Sequence, residues 1–241
     1  MMHIPAPFWS GSSDGDPYWG DVILLLHFED APGTTLPADS SSFSQALSAS
    51  TAGLQVTDDD ALFGSGSLKT VSASPGNAGR LGFIPGAHAD AEEWTIEFAF
   101  KPASIINWNF GFGWSNTNGY IILAGPLDGS NSGKIQVSNS GSPSMVSTTT
   151  LPLNVWTHVA LTRGYTSPGV YTSRLFIDGV KEAESTSGAP PFVSGVFWAI
   201  GETDSSGFSG MNGRLDEFRL TTACRYTANF AVPTAPYPDG A

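Results

Sequence analysis

Two groupings of acidic residues fall inside runs that alternate like β-strands: Glu93 with Glu97 in residues 93–101 (EWTIEFAFK), and Asp216 with Glu217 in residues 215–221 (LDEFRLT). Two carboxyls about 5 Å apart across a sugar would serve as the acid and nucleophile of a retaining glycosidase. His158, in residues 155–163 (VWTHVALTR), could act as a general base only with a nucleophile or carboxylate in hydrogen-bond reach. No nucleophile elbow or His-rich metal spacing accompanies it, so it reads as a structural histidine with its hydrogen bonds met. Trp108, Phe110, Phe112 and Trp114 alternate through residues 107–114 (NWNFGFGW) and would share one face of a strand. A sugar can stack on such a face, while the same pattern also fits an inward core face. Tyr120 and Trp198 are further rim candidates of this kind. Asp58-Asp59-Asp60 reads as a turn, because three adjacent side chains on a strand would point alternately apart. The single Cys224 excludes an internal disulfide and a Cys-rich zinc site.

The elements that position these residues are short and extended. Residues 21–28 (DVILLLHF) are apolar on both faces, with Val22, Leu24, Leu26 and Phe28 on one and Ile23, Leu25 and His27 on the other, which predicts a strand covered on each side. Residues 93–101 alternate cleanly, placing Trp94, Ile96, Phe98 and Phe100 on a buried face. The same period recurs at 121–124, 134–137, 155–163, 173–178, 196–201 and 215–221, separated by turn-forming residues. Asp178-Gly179 reads as a two-residue hairpin turn, since both tolerate positive φ. Gly64–Gly66 reads as a structural turn entering a strand: no Lys-Ser/Thr follows, so it is not a phosphate loop. The Ser-rich patches at 40–50 and 138–147 read as loops. No helical period persists over ten residues, so the chain is predicted to be all-β, an antiparallel sandwich or jelly roll.

With 241 residues, 28 Gly, 17 Pro and a 40% hydrophobic fraction, the chain can bury a full core and turn often between short elements. A net charge of −12 repels a phosphate backbone, which argues against nucleic acid as a partner. No run approaches a membrane span, and the start (MMHIPAPFWS) has neither basic n-region nor apolar run, so we expect no membrane insertion and no signal peptide. Residues 1–17 form a predicted N-terminal arm, 18–221 the domain, and 222–241 a C-terminal arm packing on the sandwich or on a neighbour. Phe8, Trp9 and Tyr18, beside prolines, read as anchors for a neighbouring subunit.

Three blocks occur in order: Trp156-Thr-His158-Val-Ala160, then Leu175-Phe-Ile-Asp178-Gly179, then Gly210-Met-Asn-Gly-Arg-Leu215-Asp216-Glu217-Phe218-Arg219. Together they resemble the laminin G-like, or concanavalin A-like, jelly-roll superfamily. Asp16-Pro-Tyr-Trp19, Leu24-Leu-Leu-His-Phe28 and Arg225-Tyr226-x-x-x-Phe230-x-x-Pro233 look like modules of tailed-bacteriophage virion proteins. The resemblance implies that the first and last strands pair antiparallel, bringing Glu29 and Asp30 near Asp216, with Asp39 closing a calcium site of carboxylates and carbonyls. Glycanases of this superfamily carry Glu-x-Asp-x-(x)-Glu on one strand. Here Thr95 replaces the middle acid of Glu93-Trp-Thr-Ile-Glu97, so no enzymatic activity is expected. The expectation is a non-enzymatic virion surface protein, a capsid decoration or tail appendage, made in the host cytoplasm and binding other virion proteins and host surface polysaccharide as a homo-oligomer. The alternatives are a free-standing calcium-dependent lectin and a divergent glycoside hydrolase.

Overall fold

A computed structural model describes residues 15–50, 53–70, 79–86, 90–105, 109–114, 119–123, 126–139, 142–186, 194–201 and 209–240. Sixteen strands occur among them. They are β1 (Val22–Leu26), β2 (Leu47–Ser50), β3 (Leu54–Thr57), β4 (Ser67–Thr70), β5 (Arg80–Phe83), β6 (Trp94–Pro102), β7 (Asn109–Trp114) and β8 (Gly119–Leu123). The remainder are β9 (Lys134–Asn139), β10 (Ser142–Thr150), β11 (Thr157–Ser167), β12 (Val170–Ile177), β13 (Val180–Ser185), β14 (Trp198–Ile200), β15 (Ser209–Gly210) and β16 (Gly213–Thr221). One sheet has the order β13-β12-β11-β6-β16-β4-β3, with β1 also on β16. The other runs β10-β9-β8-β7-β14-β5-β2, with β15 pairing parallel to β7. Among the described residues no helix is long and apolar enough to cross a membrane.

The alternation of β6 explains the layering. Trp94, Ile96, Phe98 and Phe100 join one core cluster with Val159, Leu161, Leu175, Ile177 and Leu215 of their own sheet and with Leu81, Phe83, Val137, Trp198 and Ile200 of the other. Each large side chain so buried contributes about 1.5–3 kcal/mol. The intervening positions, Thr95, Glu97 and Ala99, therefore face away from the second sheet. They oppose Thr162, Ala160 and His158 on β11, and Thr95 and Glu97 oppose Thr221 and Arg219 on β16.

On β16 the period is interrupted. The register shifts between Asp216 and Arg219, and Glu217 takes a φ of 50°, a bulge that keeps Phe218 in the core and turns Arg219 outward. The same edge of β16 pairs with β4 before the bulge and with β1 after it. A second irregularity, between Val22 and Leu24, corrects the expected faces of β1. Ile23, Leu24, Leu26 and Phe28 enter the main core, whereas Val22 and Leu25 pack with Tyr237 on the outer side.

The Ser-rich patches expected as loops instead contain β2 and β10, the outermost strands of the second sheet. Ser and Thr suit a half-exposed edge but leave no apolar period to read. The seam between β10 and β13 is closed by Glu182, which accepts from the backbone N–H and hydroxyl of both Thr148 and Thr149. Asp178 and Gly179 adopt φ of 47° and 74°, joining β12 to β13 as the expected two-residue turn.

Gly179 also lets the chain near the C-terminus approach: Phe230 donates its backbone N–H to the Gly179 carbonyl at 2.9 Å, and a Cβ on Gly179 would overlap the Phe230 carbonyl. Gly179→Ala is expected to cost about 1–3 kcal/mol, through positive φ and this overlap together. Urea unfolding that shows no shift in midpoint would contradict that account.

Candidate functional site

The outer face of the first sheet carries a buried charge network. Glu97 is 0% exposed and accepts from Arg219 Nε at 3.0 Å and Nη2 at 2.7 Å and from the Tyr226 hydroxyl at 2.9 Å. His158 Nε2 lies 3.5 Å from the other carboxylate oxygen. Asp16, also buried, accepts Arg219 Nη1 at 2.9 Å and both Arg225 Nη atoms at 3.0 and 2.6 Å. Burial alone would push the Glu97 carboxyl up, but Arg219, the His158 hydrogen bond and Arg225 hold it well below the usual carboxylate range. Burial likewise works against the charged form of Arg219, yet Glu97 beside it holds the guanidinium still more firmly protonated.

This network fastens a strap, residues 222–240, over the sheet. Arg225 donates its backbone N–H to Thr95 Oγ1 at 2.9 Å, and Thr162 Oγ1 donates to the Tyr226 carbonyl at 3.0 Å. Tyr226 stacks on Phe230 with ring centroids 3.6 Å apart, and the Arg219 guanidinium lies 3.7 Å over the Tyr237 ring. Asp16 donates its backbone N–H to the Gly240 carbonyl at 2.8 Å, so the first and last described segments meet.

Beside the network, the strap roofs a partly open cavity of about 110 Å³. Its walls include Phe63, Trp156, His158, Asp178 and Glu217, and Tyr237 reaches in from the strap. Glu217 accepts from the Tyr237 backbone N–H at 2.8 Å and shares a proton with His27 Nδ1 at 2.8 Å, while Asp178 accepts the His158 backbone N–H at 2.8 Å. The bulge at Glu217 aims that carboxylate here.

The acids expected to hold calcium do not fit the ion. Glu29 accepts from Ser65 N, Ser65 Oγ and Gly66 N within the Gly64–Gly66 turn, where a Cβ on either glycine would collide. Asp30 accepts from Ala38 N; Asp39 accepts from the backbone N–H groups of Leu25, Ser41 and Gln45. Asp216 accepts from Leu62, Phe63 and Glu217 N–H groups. Each carboxylate thus fastens a different loop, and among the described residues no three His, Cys, Asp or Glu side chains form a group able to hold a metal.

Of the aromatic candidates, Trp198 is 1% exposed and belongs to the core between the sheets, which corrects its expected place at the rim. Trp114 and Tyr120 fall on the neighbouring strands β7 and β8, Trp114 opposite Trp198 and Tyr120 opposite Ser138. Trp108, Phe8 and Trp9 lie outside the described residues. Tyr18 packs within its own chain, its ring 4.9 Å from the Arg225 guanidinium, rather than serving only as an anchor for a neighbour. Asp16, placed in the arm by its Pro- and Gly-rich surroundings, is part of the buried network. The partners Arg219, Arg225, Tyr226 and Tyr237 escaped the sequence reading, although Arg219 at an outward position of an apolar strand was a signal for an unmatched Glu97. Asp59 pairs with Arg214 at 2.6 and 2.7 Å and Asp60 with Lys101 at 2.7 Å, in the turn expected there.

Two antiparallel sheets packed on one core, with a charged strap over one of them, define a lectin-type jelly roll. The chain belongs to the concanavalin A-like lectin/glucanases superfamily, whose Laminin_G_3 family model matches residues 76–228. No curated protein sequence matches it. Among solved structures it is similar to domain 4 of AbnA, a GH43 extracellular arabinanase from Geobacillus stearothermophilus in complex with arabinotriose, with a TM-score of 0.59, 15% identity, and 89% of this chain and 95% of that one covered. It is similar to the binding domain of Paraclostridial Mosquitocidal Protein 1, with a TM-score of 0.58, 14% identity, and coverage of 86% and 50%. A structure of botulinum neurotoxin type C, whose cell entry depends on two ganglioside molecules, gives a TM-score of 0.57, 14% identity, and coverage of 86% and 49%. The chain spans about half the length of these toxin chains.

Glu97→Gln leaves two buried guanidinium groups facing one carboxylate, and a loss of about 3–5 kcal/mol is expected in chemical denaturation; a loss below about 1 kcal/mol would contradict the network's role. The pH dependence has two limbs. Burial pushes Asp216 up to about 7, and His27 is raised because its bond to Glu217 outweighs its burial. Both bind a proton more tightly folded than unfolded, so their contribution is lost as pH rises through the folded values. Glu97 acts oppositely, its contribution being lost as pH falls below its ordinary 4.5. Tm is therefore expected to peak near about pH 5 and decline toward about pH 8, with Asp216→Asn flattening the decline. A Tm that rises across this interval in the parent protein refutes the assignment.

Proposed function

We propose that the protein is a non-enzymatic recognition module of a bacteriophage particle, a capsid decoration or tail appendage that binds host surface polysaccharide. The observation that carries this reading is Glu97. It is the strand carboxylate best placed by sequence for glycoside cleavage, yet it is fully buried and bonded to Arg219 and Tyr226. A general acid or nucleophile must reach the glycosidic bond, and this one reaches only its own protein. Glu93, its sequence neighbour in that role, accepts the Tyr165 backbone N–H at 2.6 Å.

Binding without cleavage is consistent with the family and with structural neighbours whose titles name arabinotriose, gangliosides and synaptotagmin as the bound molecules. The virion assignment rests on the resemblance of Asp16–Trp19, Leu24–Phe28 and Arg225–Pro233 to phage virion modules. Placement on the particle surface, partnership with other virion proteins and a homo-oligomeric state follow from that assignment. Calcium has no part in it, because the acids that would hold the ion are each engaged by separate backbone groups.

A glycan array probed with the purified chain is expected to show binding that EDTA leaves unchanged, while incubation with the bound polysaccharide releases no reducing ends. Release of reducing ends, or no retained glycan, overturns the reading. Deleting residues 1–14 removes Phe8 and Trp9 but spares Asp16, so it should lower attachment to particles without lowering Tm; full attachment by the truncated chain removes the arm from the account.

A further inference from the structure

Two of the side chains lining the cavity beneath the strap each bury a nitrogen that has no hydrogen-bond partner: Trp156 Nε1 and His158 Nδ1. His158 is 8% exposed. An unpartnered buried polar group costs about 1–3 kcal/mol, so a site keeping two of them beside a cavity has a chemical preference for what enters it. The indole N–H can only donate. On His158, Nε2 lies 3.1 Å from the Tyr237 hydroxyl and 3.5 Å from a Glu97 carboxylate oxygen. The carboxylate keeps the imidazole proton on Nε2, which leaves Nδ1 with a lone pair that can only accept. One donor and one acceptor in the same cavity are the complement of a hydroxyl group, which accepts and donates through a single oxygen.

The rest of the lining narrows the class further. Glu217 and Asp178 place carboxylates on the wall, acceptors for additional hydroxyls and a barrier to phosphate, sulfate or uronate groups. Trp156, Phe63 and Tyr237 supply aromatic surface, which suits the C–H face of a sugar ring. The cavity volume of about 110 Å³ is smaller than the ~150 Å³ that holds one benzene molecule, and its mouth is open. It admits one edge of a ring, as the end unit of a chain presents, and not the interior of a polysaccharide.

We infer that this cavity is a binding pocket for a neutral terminal sugar unit, one hydroxyl of which accepts from Trp156 Nε1 and donates to His158 Nδ1. The inference rests on the glycan-recognition reading above and assigns it a place, on the outer face of the strapped sheet. The strap is then a working part of the site, because Tyr237 contributes both to the roof and, through its hydroxyl, to the orientation of His158.

The test follows the Trp156 indole N–H signal in ¹H–¹⁵N spectra of the full chain, assigned by its loss in Trp156→Phe. The probes are D-glucose, D-galactose, L-arabinose and D-glucuronate, with glycerol as a control for nonspecific hydroxyl contact. At least one neutral sugar should move the Trp156 signal saturably, with glucuronate and glycerol leaving it in place. Ala99→Leu fills the cavity floor while leaving the Glu97 network intact, and it should weaken that sugar by about tenfold or more. Should Ala99→Leu fail to fold, Trp156→Phe, followed by calorimetry with the same sugar, carries the comparison. A Trp156 signal unmoved by all three neutral sugars overturns the inference, as does stronger binding of glucuronate or unchanged affinity in the folded variants. Array binding that persists undiminished in those variants overturns the pocket and leaves glycan recognition standing, whereas an array without binding removes both.

Discussion

Glu97 and Asp16 are two carboxylates removed from water opposite two guanidinium groups, Arg219 and Arg225, and the balance of charge is what makes that burial tolerable. A lone buried carboxylate would instead take up a proton or draw in water. The groups come from widely separated parts of the chain: Glu97 lies 122 residues from Arg219, and Asp16 lies 203 residues from it. The network can form only once β6 and β16 are paired and both ends of the domain have arrived. It therefore couples the sheet register to the closure of the strap, because slipping β16 by one residue would send Arg219 into the core and leave Glu97 without its partner.

That coupling also determines which surfaces remain for function. In a two-sheet sandwich each sheet has an inner face spent on the core and an outer face that is free. Here the strap covers part of the outer face of the first sheet, stacking Tyr226 and Phe230 over Phe176 and Tyr237 over Arg219. The polar groups on this face are consequently engaged or enclosed, and the space between strap and sheet is confined to the neighbourhood of the Glu217 bulge. A bulge that re-aims a side chain is a common device beside binding sites. In this molecule it simultaneously hands β16 from β4 to β1.

What could be read from sequence was set by whether the signal was local. The β6 alternation and the Asp178-Gly179 turn are decided within a few residues, and both appear in the structure with the expected geometry. The edge strands β2 and β10 are Ser- and Thr-rich, and an exposed edge needs no apolar period, so nothing distinguished them from loops. The β1 faces were misassigned by a single bulge, since one extra residue moves every later side chain to the other face. The charge network was beyond a local reading for a different reason. Glu97 in an apolar strand announces that it needs a partner but does not say which of the ten basic residues supplies it.

The net charge of −12 suggests a surface made for cations, but the placement of the acids argues for another use. Loops without regular hydrogen bonding must find acceptors for their backbone N–H groups, and a carboxylate can take several at once. Glu29 does this for 65–66, Asp39 for residues 25, 41 and 45, Asp216 for 62–63, and Glu182 for 148–149. The resulting N–H bonds hold the Glu29 and Glu182 carboxyls below their usual range despite burial, which ties loop order to their ionisation. Acids committed in this way are not available to share a divalent cation. Recognition in such a molecule is better made by neutral donors and acceptors, and the indole of Trp156 and the imidazole of His158 are the groups the strap encloses beside a cavity.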